Sequence, residues 1–209
     1  MDALSEPLLA GRFRLEREVG RGGAGIVYRA SDALSKLDVA IKIIASIGGV
    51  DAVEHSRFTR EGQLLAELDH PGIVRVVAFG ALDAQYTDKL GRRLEEGAPY
   101  IAMEWLEGED LQARQRRAPL GLPDALEVGR QVAAALAAAH QAGIVHRDIK
   151  PSNIFLIGAG AVSDPPTSGV TTHRPAGAAD IRTKLVDFGV AATNDVRLTR
   201  TGAVVGTPA

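Results

Sequence analysis

The sequence predicts an α+β chain, with a sheet-rich first half carrying one helix and a second half led by a long helix. Three observations carry this. Apolar residues fall mainly on alternate positions at Phe13, Leu15 and Val19, the pattern of a half-buried strand, and Val39-Ala40-Ile41-Lys42-Ile43-Ile44 is a further strand run. The period then lengthens to that of a helix at Phe58, Leu64, Leu65 and Leu68. A second helical stripe, Val128, Val132, Leu136 and Ala139, lies between Pro123 and Gly143 and opens the second half.

In chain order, a strand from Phe13 leads into a Gly-rich turn, and the β-branched and aromatic Ile26-Val27-Tyr28 begins the next strand. After the third strand a helix is expected over 52–68. Asp69-His70-Pro71-Gly72 ends it, because proline turns its predecessor away from helical geometry. Ile73-Val74-Arg75-Val76-Val77 reads as a fourth strand and 100–105 as a fifth, with a charged loop over 83–97 between them. A hinge is expected at 106–110. Pro123 suits the first turn of the long helix and Gly143 its C-terminal cap. Short strand signals follow at Ile144-Val145, Ile154-Phe155-Leu156 and Lys184-Leu185-Val186, and the Gly, Ala, Ser, Thr and Pro stretch 158–180 reads as a surface insertion.

The 209 residues accommodate one large domain or two small lobes. A net charge of −2 gives no global field to recruit nucleic acid or a membrane, so any anion site is local. The absence of cysteine excludes disulfides and Cys-based zinc sites. MDALSEPLLAG lacks the basic and apolar regions of a secretory signal, and VAAALAAA is too short to span a bilayer. The expectation is a soluble, cytoplasmic chain with no membrane segment, compatible with an anchor beyond Ala209.

GRGGAG, Gly20 to Gly25, fits G-x-G-x-x-G. A dinucleotide-binding turn needs a helix after the glycines and an acidic residue about 20 positions on. Here a strand follows, and Ile44, Ala45 and Ser46 stand near that place. Two readings remain: a tight hairpin turn, and a loop whose backbone N–H groups approach a phosphate chain. Lys42 interrupts an apolar strand. It either snorkels from the sheet or aims a cation at phosphate oxygens, and among apolar neighbours it needs a counter-charge. Glu61, on the following helix, is the candidate; its alternative is an ordinary solvated glutamate.

With His146-Arg147-Asp148-Ile149-Lys150-Pro151-Ser152-Asn153 the motifs form an ordered set. G-x-G-x-x-G-x-V ends at Val27, V-A-I-K at Lys42, H-R-D-x-K-x-x-N at Asn153 and D-F-G at Gly189, followed by VGTPA. From about Phe13 to Ala209 the chain resembles a eukaryotic-like serine/threonine protein kinase of bacterial type. The resemblance implies a bilobal protein-kinase-like fold. Its N-lobe, 13–105 after a tail 1–12, would hold a five-stranded antiparallel sheet and the helix termed αC. The hinge 106–110 would lead to the first part of a helical C-lobe, 111–209.

The resemblance also implies roles. ATP is the expected nucleotide and Mg²⁺, or Mn²⁺ in its place, the expected metal. Lys42 would hold the α- and β-phosphates with Glu61 fixing it, and Asp187 and Asn153 would ligate metal. Asp148 would accept or orient the acceptor hydroxyl, and Lys150 would reach the γ-phosphate. Lone Asp and Asn residues in loops otherwise cap helices or make turns. Gly20, Gly22 and Gly25 would cover the phosphates. Val27 and Ala40 would lie above the adenine and Phe155 below it. Met103 would be the gatekeeper, with Glu104 and Leu106 offering backbone groups to the adenine edge on either side of Trp105. The apolar members of this set are also ordinary core residues until a ligand enters. Spine contacts would run through Leu65, Val76, His146 and Phe188.

Residues 187–209 resemble the start of an activation segment, with Thr199 and Thr201 as candidate phosphosites beside the alternative of plain exposed loop residues. Thr193 and the 163–172 hydroxyls are weaker candidates, and Thr207 is expected near the acceptor site. Arg147 is free to pair with a phosphate. The chain stops before an A-P-E-type motif, so an exposed apolar patch beside the 123–142 helix and marginal stability are expected. The expected activity is ATP-dependent phosphorylation of protein Ser/Thr hydroxyls, with protein substrates as partners and autophosphorylation in trans within a homodimer. The rival is a nucleotide-binding or interaction module that transfers nothing.

Overall fold

The computed structural model describes residues 8–23, 25–44, 52–157 and 181–188. Strands β1 (Phe13–Gly22), β2 (Gly25–Asp32) and β3 (Asp38–Ile44) lead to helix α1 (Ala52–Glu67). Strand β4 (Val76–Ala81), the short hairpin β5 (Tyr86–Thr87) and β6 (Arg93–Leu94), and β7 (Pro99–Glu104) follow. After β8 (Gly108–Asp110) come α2 (Leu111–Arg117), α3 (Leu122–Gln141), a 3-10 turn (Pro151–Asn153), β9 (Ile154–Ile157) and β10 (Arg182–Leu185). The small lobe is a five-stranded sheet in the order β1-β2-β3-β7-β4 with antiparallel neighbours. The 158–180 insertion and Thr193, Thr199, Thr201 and Thr207 lie outside the described residues.

Alternation along β3 divides the sheet into two faces. Val39, Ile41 and Ile43 are buried, while Ala40, Lys42 and Ile44 are half-buried on the opposite side. Directly opposed residues share a face, so Val27 and Ile101 accompany Lys42, and Met103 accompanies Ala40. The first face carries its own core with Tyr28, Ala30, Tyr100 and Ala102, covered by Leu9, Phe13, Leu82, Tyr86 and Leu94. The expected tail therefore contributes to packing: Leu9 is buried and exchanges backbone hydrogen bonds with Phe13.

The expected charged loop 83–97 is corrected to the β5–β6 hairpin. Its apolar Tyr86 and Leu94 point into that core, while its charges anchor it. Buried Asp88 accepts from the Tyr28 hydroxyl at 2.8 Å, from the N–H groups of Leu90 and Arg92 at 2.9 Å each, and from Arg92 Nε at 2.7 Å. Arg92 also pairs with Glu18 on β1. Burial first, and then the bond to Asp88, raises the Tyr28 hydroxyl far above the tyrosine range, so it stays a donor.

The other face joins the lobes. Phe58 and Leu65 of α1, Ile101, Met103, Val128, Ala135 and Ala139 of α3, Ile154, Leu185 and Phe188 form one core. Gly62 lets α1 approach β4, since a Cβ there would lie 2.7 Å from the Phe79 ring. The fourth strand begins later than expected. Ile73 and Val74 are buried, but their ladder runs to the large lobe. Ile73 bridges Leu185 in parallel, the Val74 N–H donates to Leu185 O at 3.0 Å, and the Leu185 N–H donates to Gly72 O at 2.8 Å. The hinge is partly strand: β8 pairs β9, and Gly108 at φ 153 is required because a Cβ would meet Leu156 O at 2.0 Å.

Ile144-Val145 is not a strand. Gly143 takes φ 75, and the Ile144 N–H donates back to Ala139 O at 2.9 Å, closing α3 with a left-handed cap. Leu122 and Leu126 at the start of α3, and Val145 and Ile149 beyond its end, are exposed. Among the described residues no helix is long and apolar enough to cross a membrane.

Candidate active site

The glycines of the β1–β2 turn differ in what the fold asks of them. Gly25 has φ 134, and a Cβ there would sit 2.1 Å from Ile43 O, so the packing of β2 on β3 demands glycine. At Gly22 a Cβ would meet nothing within 4 Å, and at Gly20 only Val27 Cβ at 4.0 Å. Packing within the described residues gives no reason for glycine at those two positions.

Lys42 projects from the lobe-joining face with its side chain 12 % exposed, and its ammonium lies 2.9 Å from Asp187 Oδ1. The expected Lys42–Glu61 pair is not formed. Glu61 Oε1 instead accepts from Arg147 Nη1 at 3.2 Å. The reason is geometric. Asp187 adopts φ 58 just after β10, which presents its carboxylate to β3, whereas Glu61 sits where α1 faces the loop bearing Arg147. A mostly buried ammonium needs a carboxylate, and Asp187 supplies it. Arg147 also has positive φ, 65. Two residues with side chains thus take this costly backbone region within the expected catalytic groups, where such strain tends to collect.

The loop before the 3-10 turn gathers the remaining expected groups. Lys150 Nζ donates to Asp148 Oδ2 at 2.7 Å, and Asn153 Nδ2 donates to Asp148 O at 2.8 Å and to its Oδ2 at 3.1 Å. Burial pushes the Asp148 carboxyl up, but Lys150 and Asn153 outweigh it and hold the group below the usual carboxylate range. Asp148 is therefore ionised at neutral pH. His146 is buried. Its Nε2 lies 3.0 Å from Val186 O, and its Nδ1 accepts the Asp148 N–H at 3.4 Å, an arrangement that requires the Nε2–H tautomer. Burial lowers its pKa, in keeping with that neutral form. Its ring packs on that of Phe188, with centroids 4.5 Å apart.

Residues 185–187 are fixed one after another. Leu185 bonds to Gly72 and Val74, the Val186 N–H donates to Asn153 O at 3.0 Å, and Asp187 meets Lys42. Lys184, just before them, pairs with the side chain of Glu104. Glu104 was expected to matter through its backbone. Its carboxylate also accepts the Arg75 N–H at 2.7 Å, while its own N–H donates to Arg75 O at 3.0 Å.

Lys42, Leu65, Val76, Met103, Asp187 and Phe188 line a cavity of about 410 Å³ including its open mouth. The expected spine residues Leu65, Val76 and Phe188 thus meet there, with His146 behind Phe188. Val27, Ala40, Leu106 and Phe155 are half-buried and do not line this cavity. Gly189 of the D-F-G triplet lies outside the described residues. Among the described residues no group of three His, Cys, Asp or Glu side chains could hold a metal by itself. One carboxylate, Asp187, and one amide, Asn153, suit a magnesium ion that arrives with phosphate oxygens and keeps some water.

Residues 13–209 match the family described as protein kinase domain. The serine/threonine-protein kinase PknE of Mycobacterium tuberculosis (strain ATCC 25177 / H37Ra) is 37% identical over 199 residues, 94% of this chain and 29% of that protein. PknH of Mycobacterium bovis, also a serine/threonine-protein kinase, is 33% identical over 199 residues, again 94% of this chain and 28% of that one. The crystal structure of the M. tuberculosis PknI kinase domain superposes with a TM-score of 0.64 at 30% identity, covering 90% of this chain and 64% of that one. The chain thus spans under a third of the length of these curated relatives.

Proposed function

Because the chain belongs to the protein kinase family, we propose that it carries the nucleotide and catalytic groups of a serine/threonine kinase that moves the γ-phosphoryl of ATP to protein hydroxyls. The observation that carries the reading is the approach of Lys42 and Asp187 to 2.9 Å at a pocket wall, with Asp148, Lys150 and Asn153 hydrogen-bonded in one loop. Phosphoryl transfer asks mostly for positioning and for neutralised charge. Lys42 would meet the α- and β-phosphates, and Asp187 and Asn153 would hold the metal, Mg²⁺ or Mn²⁺. That ion supplies charge neutralisation on the phosphate oxygens when bound. Asn153 spends its amide nitrogen on Asp148, which leaves the oxygen to ligate. Asp148, kept ionised, would orient the Ser or Thr hydroxyl and accept its proton, and Lys150 would reach the γ-phosphate. The free space at Gly20 and Gly22 supports a close backbone approach to phosphate. Met103 would be the gatekeeper and the backbone groups of Glu104 and Leu106 would meet the adenine edge, with Val27 and Ala40 on one side of the ring and Phe155 on the other. Thr199 and Thr201 are the proposed autophosphorylation sites, reached in trans within a homodimer.

The Glu61–Arg147 pair favours a second reading, a chain that binds nucleotide without transferring phosphate, because Glu61 is then not beside Lys42. A thermal-shift measurement with Mg-ATP, run beside phosphotransfer to a basic protein, separates the two. The kinase reading expects both a shift and transfer, with Lys42→Met abolishing transfer and most of the shift. A shift without transfer supports the second reading, and no shift refutes both.

A further inference from the structure

Glu104 closes the last strand of the small-lobe sheet, and its carboxylate reaches two other segments. It accepts the Arg75 N–H at 2.7 Å, ahead of β4, and it pairs with Lys184 on β10. Both donors use the same oxygen, Oε1. The two ends of the ion pair are largely shielded, with side chains 13 % exposed for Lys184 and 21 % for Glu104. Such a pair is screened less than a surface one. Lys184 lies opposite Phe155 in the β9–β10 ladder, and three residues later the chain reaches Asp187. The stretch between them has few free backbone groups, because Leu185 and Val186 are hydrogen-bonded in turn. Position imposed at Lys184 is therefore passed to Asp187 through a short, held segment.

We infer that the Glu104 side chain is a positioning residue for the metal-binding carboxylate: acting through Lys184, it sets where Asp187 stands relative to the strand that borders the nucleotide pocket. This rests on the kinase reading of the site, and adds to it a side chain that touches neither nucleotide nor metal. The physical reason is that Asp187 comes from the large lobe and Lys42 from the small one. Something other than their own attraction has to fix the distance when phosphates and a dication separate them. A charged, shielded link between β7 and β10 does so with ligand present or absent.

The experiment measures ATP affinity twice, in excess Mg²⁺ and in EDTA, for the wild-type chain, Glu104→Gln, Lys184→Met, the double variant and Lys184→Arg. Unliganded melting is followed for each as a check of folding. The gain in affinity on adding Mg²⁺ is the readout, since loss of fold or of adenine contact lowers both affinities together. Each single variant is expected to cut that gain roughly 3- to 10-fold; Lys184→Met, which lies away from the adenine edge, should keep its affinity in EDTA within about twofold of wild type, and the double variant loses no more of the gain than either single one, as for two residues acting as a unit. Lys184→Arg restores most of the gain. If Glu104→Gln fails to fold, Lys184→Met, which keeps an unbranched apolar stem and removes the charge, carries the test. An unchanged gain in the single variants, or equal losses with and without Mg²⁺, overturns the inference and leaves the kinase reading intact. Absence of any Mg²⁺-dependent gain in the wild-type chain overturns the kinase reading itself, and this inference with it.

Discussion

Glu61 and Arg147 are joined at 3.2 Å between α1 and the loop that bears Asp148, while Lys42 of the sheet is engaged with Asp187. The side chains are 30 % and 52 % exposed, so water screens the attraction. A double-mutant cycle on unfolding free energy with Glu61→Gln and Arg147→Gln should give a coupling below about 1 kcal/mol, shrinking further in high salt. A ligand that recruits Glu61 toward Lys42 then has only a weak contact to replace. A coupling of several kcal/mol would mean that the pair is far drier than its exposure implies.

The glycine turn offers a separation of fold from function. Gly25→Ala should destabilise the chain by more than about 1 kcal/mol, because both φ and space forbid a side chain there. Gly22→Ala should change unfolding stability by less than about 0.5 kcal/mol yet weaken Mg-ATP binding several-fold. Equal effects of the two substitutions on urea unfolding would contradict the steric difference between the two positions.

His146 predicts a pH dependence with a definite sign. Burial first of all lowers its folded pKa, against a pull upward from Val186 O and Asp148. For a base held neutral, the stability contribution is complete above the unfolded pKa of about 6.5 and is lost as pH falls through that value toward the folded one. Protonation at Nδ1 would also remove the acceptor for the Asp148 N–H. The melting temperature should thus decline below about pH 6.5. His146→Phe should melt lower at neutral pH but with a flatter profile between about pH 5 and 6.5. An unaltered slope in the variant would assign the titration to other groups.

Asp88 organises the hairpin over the outer sheet face. Its side chain is 3 % exposed and satisfies Tyr28, Arg92 and two backbone N–H groups. Asp88→Ala should cost roughly 2–4 kcal/mol in urea denaturation, since it strands buried donors. Asp88→Asn should cost less, because an amide oxygen can still accept from the Tyr28 hydroxyl.

Residues whose burial follows local period were legible in the sequence. β1 to β3, α1 and α3 lie where alternation or helical spacing put them, and the ordered motifs place Lys42, Asp148, Asn153 and Asp187 in strands or loops of the expected kind. Ile73 and Val74 misled because an apolar run reports burial, not the partner of its hydrogen bonds, and the partner here is Leu185. The hairpin was hidden by its charges. Tyr86 and Leu94 are its buried apolar residues, and among many charges they do not stand apart from Ala84 and the exposed Leu90. The partner of Glu61 was not readable at all. Lys42 and Arg147 are both cations within reach of α1, and the choice depends on how that helix sits between the lobes, which no local pattern encodes. The bond of the Glu104 side chain to Lys184 is hidden for the same reason: 80 positions separate them.

The hydrophobic layer that Leu9, Phe13, Leu82, Tyr86 and Leu94 lay over the sheet has a consequence for dynamics. These residues grip the strands of the small lobe from the face opposite the Lys42 cavity, so the amides of β2 and β3 should exchange with deuterium slowly whether or not nucleotide is added. Opening and closing of the cleft can then proceed as movement of an intact plate, with the faster-exchanging amides expected in α1 and around Arg147.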